Sequence, residues 1–221
     1  MKIQAGKSYK KRHRVISSIF ISNPALVLGF DLPFLIATST SLRNAAAMSI
    51  AMLFIHMATI MFSVLFVRKL PVMLRALLSV IVSTGVMILT RELIIFIFPD
   101  ILNTLGMYIY LLSINGLTLF QSLSLTSRSR LRPVLRREFF HVLAFVLAMF
   151  SLSAIREWLG QSALFGIPID MPYKMSGFLI PFLGFIAMGF LLAFVKAFNR
   201  GLFSFLIRED HKRASRMRVD Y

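Results

Sequence analysis

The chain has 221 residues, 57% of them hydrophobic and only 15% charged, a formal net charge of +16 and no cysteine. That apolar excess excludes a water-soluble globule, and the length accommodates about six bilayer-spanning helices of roughly 20 residues each, with little left for a soluble enzyme domain. The missing cysteines exclude a disulfide framework, a thiolate zinc site, a cysteine nucleophile and an iron–sulfur cluster held by the chain's own thiolates.

Apolar stretches run over residues 21–42, 44–67, 76–98, 101–125, 139–160 and 177–199. They predict an all-α integral membrane protein of six transmembrane helices, with a membrane domain over 21–199 between a basic tail at 1–20 and another at 200–221. The second stretch, Asn44 to Val67, holds no Asp, Glu, Lys or Arg. The first follows a basic run of Lys7, Lys10, Lys11, Arg12 and Arg14, as a secretory signal does. No small-x-small cleavage motif follows it, so it reads as a retained span.

Charge sorts by loop. Six Lys or Arg lie in the N-terminal tail, three in 68–75, five in 126–138 and seven from Lys196 onward; only Arg43, Arg91, Arg156 and Lys174 fall on the opposite side. By the positive-inside rule both termini face the cytoplasm of a bacterial-type inner membrane. This topology accounts for the charge without nucleic acid, and contact of the basic loops with anionic lipid headgroups is an expected by-product.

Two stretches are punctuated. The first contains Gly29, Asp31 and Pro33, and Pro33 conflicts with the Gly29 carbonyl in a continuous helix. The fourth contains Gly106 and then Ser113, Ile114, Asn115 and Gly116. Broken first and fourth helices, each opening a set of three, are expected of two inverted three-helix repeats, here about 21–98 and 101–199. Isolated glycines and prolines also serve ordinary close packing.

Ionisable groups at membrane depth need a partner or a function. Asp31 and His56 fall near the middle of adjacent spans, with Asn115 at the second break, and together suggest an ion or proton site. The alternative is a neutral Asp31 bonded to backbone amides freed at a break, with His56 bonded to a Ser or Thr. Arg91–Glu92 and Arg156–Glu157 fall towards the outer ends of the third and fifth spans. Adjacent helical residues do not face one another, so cross-pairing of Arg91 with Glu157 and of Glu92 with Arg156 is expected, as a structural clamp or else a polar vestibule. No phosphate-binding loop, metal-spaced His pair or Ser-His-Asp set is present; His13, His141 and His211 lie near loops or tails.

The stretch Ala154-Ile155-Arg156-Glu157-Trp158-Leu159-Gly160-Gln161-Ser162-Ala163-Leu164-Phe165-Gly166 resembles a signature of the Rnf and Nqr membrane subunits. Asn23-Pro24-Ala25-Leu26-Val27-Leu28-Gly29 resembles the start of their first helix. The likeness covers roughly residues 20 to 200, and the cytoplasmic termini match the RnfE/NqrD type rather than the oppositely oriented RnfA/NqrE type. It implies a six-helix, non-catalytic subunit of an ion-translocating oxidoreductase, paired with a homologous RnfA/NqrE-like chain.

In that family each partner supplies two cysteines, one from each broken helix, to a shared two-iron two-sulfur cluster. The resemblance places the two positions at Asp31 and Gly116, so no cofactor is expected in this chain. A family segment after the second position is replaced by Phe120, Gln121, Ser122, Leu123, Ser124 and Leu125. The other expectation is a repurposed transporter or assembly scaffold, free of cysteine, that pairs with a homologous inverted subunit.

Overall fold

The computed structural model describes residues 31–67, 69–125, 129–169 and 175–197. Among these, α1 (Leu32–Thr38) leads into α2 (Leu42–Phe62), which continues as a π-helical segment over Ser63–Val67. Helix α3 spans Val72–Ile97. The fourth apolar stretch is composite: α4 (Ile101–Leu105), α5 (Tyr108–Leu111), a 3-10 turn at Leu112–Ile114 and α6 (Gly116–Ser124). Then come α7 (Leu131–Gln161), two short strands β1 (Ala163–Leu164) and β2 (Ile167–Pro168), a 3-10 turn at Ser176–Leu179 and α8 (Pro181–Ala197).

Three helices, Leu42–Val67, Val72–Ile97 and Leu131–Gln161, are long and apolar enough to cross a membrane, and α8 is a shorter apolar helix. Local chemistry sets their starts. Ser41 caps α2 by accepting the Asn44 amide at 3.2 Å. Pro71 precedes α3, and Pro181 opens α8 where a missing N–H costs no helical bond.

Contacts at the helix ends give the chain directions. The start of α2 meets the end of α7 through Leu42 and Glu157, while Val64 and Val134 share a small apolar cluster at the other end, so the two helices are antiparallel. Arg91 near the end of α3 reaches Tyr110 in α5, and Arg75 near its start reaches Leu123 and Leu125 at the end of α6. The composite fourth stretch therefore runs back along α3.

The core lies between α2 and α7, where Ala45, Ala47, Met48, Ala51, Met52 and Ile55 pack on Val142, Phe145, Met149 and Leu152. Small residues on α2 let the backbones approach closely, as association within lipid requires. Large apolar side chains turn outward instead, among them Leu77, Leu89 and Phe96 of α3 and Phe182, Phe185 and Phe190 of α8. An outer surface of that kind suits hydrocarbon and not water.

Two boundaries differ from expectation. Helix α7 begins at Leu131 rather than 139, because its arginines extend the pattern instead of ending it: Arg132, Arg136 and Arg137 point outward while Val134 and Glu138, four apart, turn inward. Arg75 is no loop charge either. It lies in the first turn of α3, buried, and donates to the carbonyls of Leu70, Leu123 and Leu125, so it caps the end of α6. Gly29, half of one expected break, lies outside the described residues.

Candidate functional site

Asp31 sits just before α1, and Pro33 occupies the first turn of that helix, where proline is tolerated. Helix α1 therefore begins at Leu32, and what precedes Asp31 lies outside the described residues. The fourth stretch is interrupted at Asn115, extended at φ −73° and ψ 142°, whose side chain caps α6 by accepting the Thr118 amide at 2.7 Å. Gly116 is the first residue of the new helix rather than the break itself.

The start of α1 meets the start of α6. Asp31 is 2% exposed, and its carboxylate accepts the Gly116 amide at 2.8 Å and the Leu117 amide at 3.1 Å. These are orphan donors of the first turn of α6, where a carboxylate also opposes the positive end of the helix dipole. Both carboxylate oxygens are thereby engaged with backbone N–H groups of the other half of the chain.

His56 does not join them by a hydrogen bond. Its Nδ1 lies 2.9 Å from the Thr118 hydroxyl, and its Nε2 lies 3.4 Å from Oε2 of Glu138. That same oxygen is 3.1 Å from Nδ1 of His141, which lies 2.8 Å from the Gln121 side-chain amide nitrogen. Arg137 pairs with the other Glu138 oxygen at 2.8 Å. Below the Asp31 junction, then, stands a second polar cluster of His56, Glu138, His141, Thr118 and Gln121, all buried.

The expected cross-clamp between the Arg-Glu pairs is absent. Arg91 pairs with its neighbour Glu92 at the surface and donates to Tyr110 at 2.8 Å. Arg156, fully buried, donates to the carbonyls of Phe178 (2.9 Å) and Leu179 (2.8 Å), to the Ser39 hydroxyl (2.8 Å) and to the Ile36 carbonyl. Glu157 accepts the Leu42 amide at 2.6 Å and the Gly166 amide at 2.9 Å. Orphan backbone groups at helix ends and turns outcompete a distant ion pair, because unpaired buried donors and acceptors are costly. A cavity of about 230 Å³ does open among Thr40, Ser41, Arg43, Asp100 and Gln161, and neither pair lines it.

The signature stretch thus builds a junction. Beyond α7 the chain turns through Ser162 (φ 52°), and β1 and β2 pair across Phe165 (φ 54°) and Gly166 (φ 76°). Two successive positive φ angles make the mirror-image turn that suits a two-residue hairpin, and Glu157 holds its Gly166 amide.

A two-iron two-sulfur cluster does not fit the residues present. Gly116 offers no side chain, and both oxygens of Asp31 are occupied by backbone donors. Glu138 and Gln121 escape a reading of the sequence for different reasons. Glu138 sits among arginines in what reads as a loop. Gln121 and Ser122 belong to the segment that departs from the family, yet Gln121 meets His141, and Ser122 bonds to Ser63 at 3.2 Å and to Ser79.

Long apolar helices, lipid-suited flanks and a polar junction between α1 and the interrupted fourth stretch define a multi-pass membrane protein. The family described as "Rnf-Nqr subunit, membrane protein" matches residues 12–193. The chain belongs to that family. It is 28% identical over 155 residues to the E subunit of the ion-translocating oxidoreductase complex of Cellvibrio japonicus, covering 70% of this chain and 65% of that protein. It is also 28% identical over 190 residues to the E subunit of the proton-translocating ferredoxin:NAD(+) oxidoreductase complex of Clostridium ljungdahlii, covering 82% and 86% respectively.

Proposed function

We propose that the chain is a non-catalytic membrane subunit of an ion-translocating oxidoreductase complex of the Rnf/Nqr type, of RnfE/NqrD character, that contributes no cluster ligand. Family membership over residues 12–193 carries the reading, and the names of the two relatives support it. Its six apolar stretches form two inverted three-helix repeats over about 21–98 and 101–199, between basic tails. The meeting of Asp31 with Gly116 supports this, since inverted repeats bring their interrupted helices together. Asp31 acts as a cross-repeat helix cap, and the ion-site reading of Asp31, His56 and Asn115 is the weaker one because both carboxylate oxygens are engaged.

The chain is oriented with both termini in the cytoplasm of the inner membrane, where its basic loops meet anionic lipids. Its partners are other membrane subunits, foremost a homologous RnfA/NqrE-like chain, which would cover the junction. The loss of both thiolate positions favours a second reading, a pump-derived transporter or assembly scaffold that carries no electrons. Gentle purification of the complex from native membranes separates the two. Co-isolating flavoprotein and iron–sulfur subunits support the first reading; a partner that itself lacks the cluster cysteines, with no redox subunit, overturns it in favour of the second.

A further inference from the structure

Glu138 places one carboxylate oxygen between two imidazoles, at 3.1 Å from His141 and 3.4 Å from His56. Both rings and the carboxylate are buried, and they join two antiparallel helices, α2 and α7. Nothing in the capping of α6 by Asp31 or Asn115 uses them. A buried set of three titratable groups is expensive in a membrane unless it has a purpose.

The protonation demands within the set conflict. Nδ1 of His141 faces both the Gln121 amide nitrogen, a donor, and the Glu138 oxygen, an acceptor. With a lone pair there it accepts from Gln121; with a proton there it donates to Glu138. One nitrogen cannot satisfy both. His56 has a complementary ambiguity: its Nδ1 exchanges donor and acceptor roles with the Thr118 hydroxyl, while its buried Nε2 has no hydrogen-bond partner and faces the carboxylate at 3.4 Å. Two arrangements of nearly equal satisfaction are what a movable proton requires.

We propose that His56, Glu138 and His141 form a proton-holding site in which one proton passes between the two rings across Glu138. With Nδ1–H facing Glu138, a proton received from water at Nε2 converts His141 to the imidazolium. Its Nδ1–H passes to Oε2 of Glu138, and that oxygen delivers a proton to Nε2 of His56, leaving the carboxylate as it began. His56 then donates from Nδ1 to Thr118. No electron moves and no other reactant is needed. The charged groups facing the site are Arg137, half-exposed and bonded to Glu138, and Asp31, within electrostatic reach of His56; Arg75 is turned to the carbonyls ending α6. Beyond Thr118 a crevice of about 10 Å³, lined by Ser79, Ser83 and Asn115, has room for about one water.

This inference goes beyond the proposed role in the complex and does not depend on which redox partners are present. The test uses the full chain with its co-isolating subunits in lipid vesicles, with nitrogen-15 histidine; His13→Gln and His211→Gln leave two histidines in this chain, and difference spectra against His56→Gln and His141→Gln assign them. Solid-state NMR between about pH 5 and pH 9 follows the tautomer and charge of each ring. The expected result is that protonation of one ring shifts the signal of the other. Glu138→Gln abolishes that coupling and lowers the doubly protonated fraction roughly threefold or more. Two rings fixed in single neutral tautomers throughout, or an unchanged fraction in Glu138→Gln, overturn the site. If Glu138→Gln does not assemble, His141→Gln decides: proton exchange of His56 with water slows about tenfold if His141 is the entry, and an unchanged rate overturns the relay.

Discussion

The Asp31 carboxylate lies 2.8 Å from the Gly116 amide, so the residue just before α1 bonds directly to the first residue of α6. A side chain at the start of α1 closes the first turn of α6. The neighbouring Leu117 amide, at 3.1 Å, completes the cap.

Asp31 variants measure that cap. Asp31→Ala leaves two buried amides unpaired and should cost about 1–3 kcal/mol, read as a lower midpoint of unfolding in detergent or lipid. Asp31→Asn keeps one acceptor oxygen but turns an NH₂ towards a donor, so an intermediate loss is expected. Equal stability of wild type and Asp31→Ala would show that the cap holds nothing in place.

Arg156 serves four acceptors contributed by α1, Ser39 and the turn before α8. Lysine carries charge but lacks the planar fork that reaches them together. Arg156→Lys should therefore destabilise by about 2–4 kcal/mol, measured in the same unfolding assay. A change near zero would show that the guanidinium contacts are not needed to hold α8 in place.

Gly184 marks the closest approach of α8 to this junction. A Cβ there would lie 2.7 Å from Cγ2 of Ile36 and 3.3 Å from Cζ of Arg156. Gly184→Ala should cost about 1–3 kcal/mol by overpacking, and pairing it with Ile36→Ala, which removes Cγ2, should cost less than the sum of the two single losses. Gly189, whose added Cβ meets nothing within 4 Å, is the control at which alanine should be tolerated.

Orientation is open to labelling because the chain has no native cysteine. A cysteine in place of Ser129, beside the basic loop, should resist a membrane-impermeant reagent applied to intact cells. One in place of Phe165, exposed at the hairpin turn, should react. The reverse pattern would invert the proposed topology.

Sequence alone determined the membrane class and the positions of the long helices, because burial in lipid demands long apolar runs that composition displays directly. The interruption at Asn115 was legible too, since an Asn–Gly pair acts through backbone rules that hold wherever the chain goes. Partners were not. Arg156 and Glu157 stood out as costly charges, but only the packing of α7 against α1, α2 and the hairpin showed that they serve backbone groups and not each other. Glu138 and Gln121 drew no attention, one hidden in an arginine-rich segment and the other in a stretch notable for what it had lost. Helical spacing puts Glu138 beside His141 on α7 itself, while antiparallel packing of α2 against α7, with α6 alongside, sets Glu138 next to His56 and Gln121 next to His141. A hydrogen bond between residues far apart in the chain is decided by that three-dimensional arrangement, and local sequence carries no record of it.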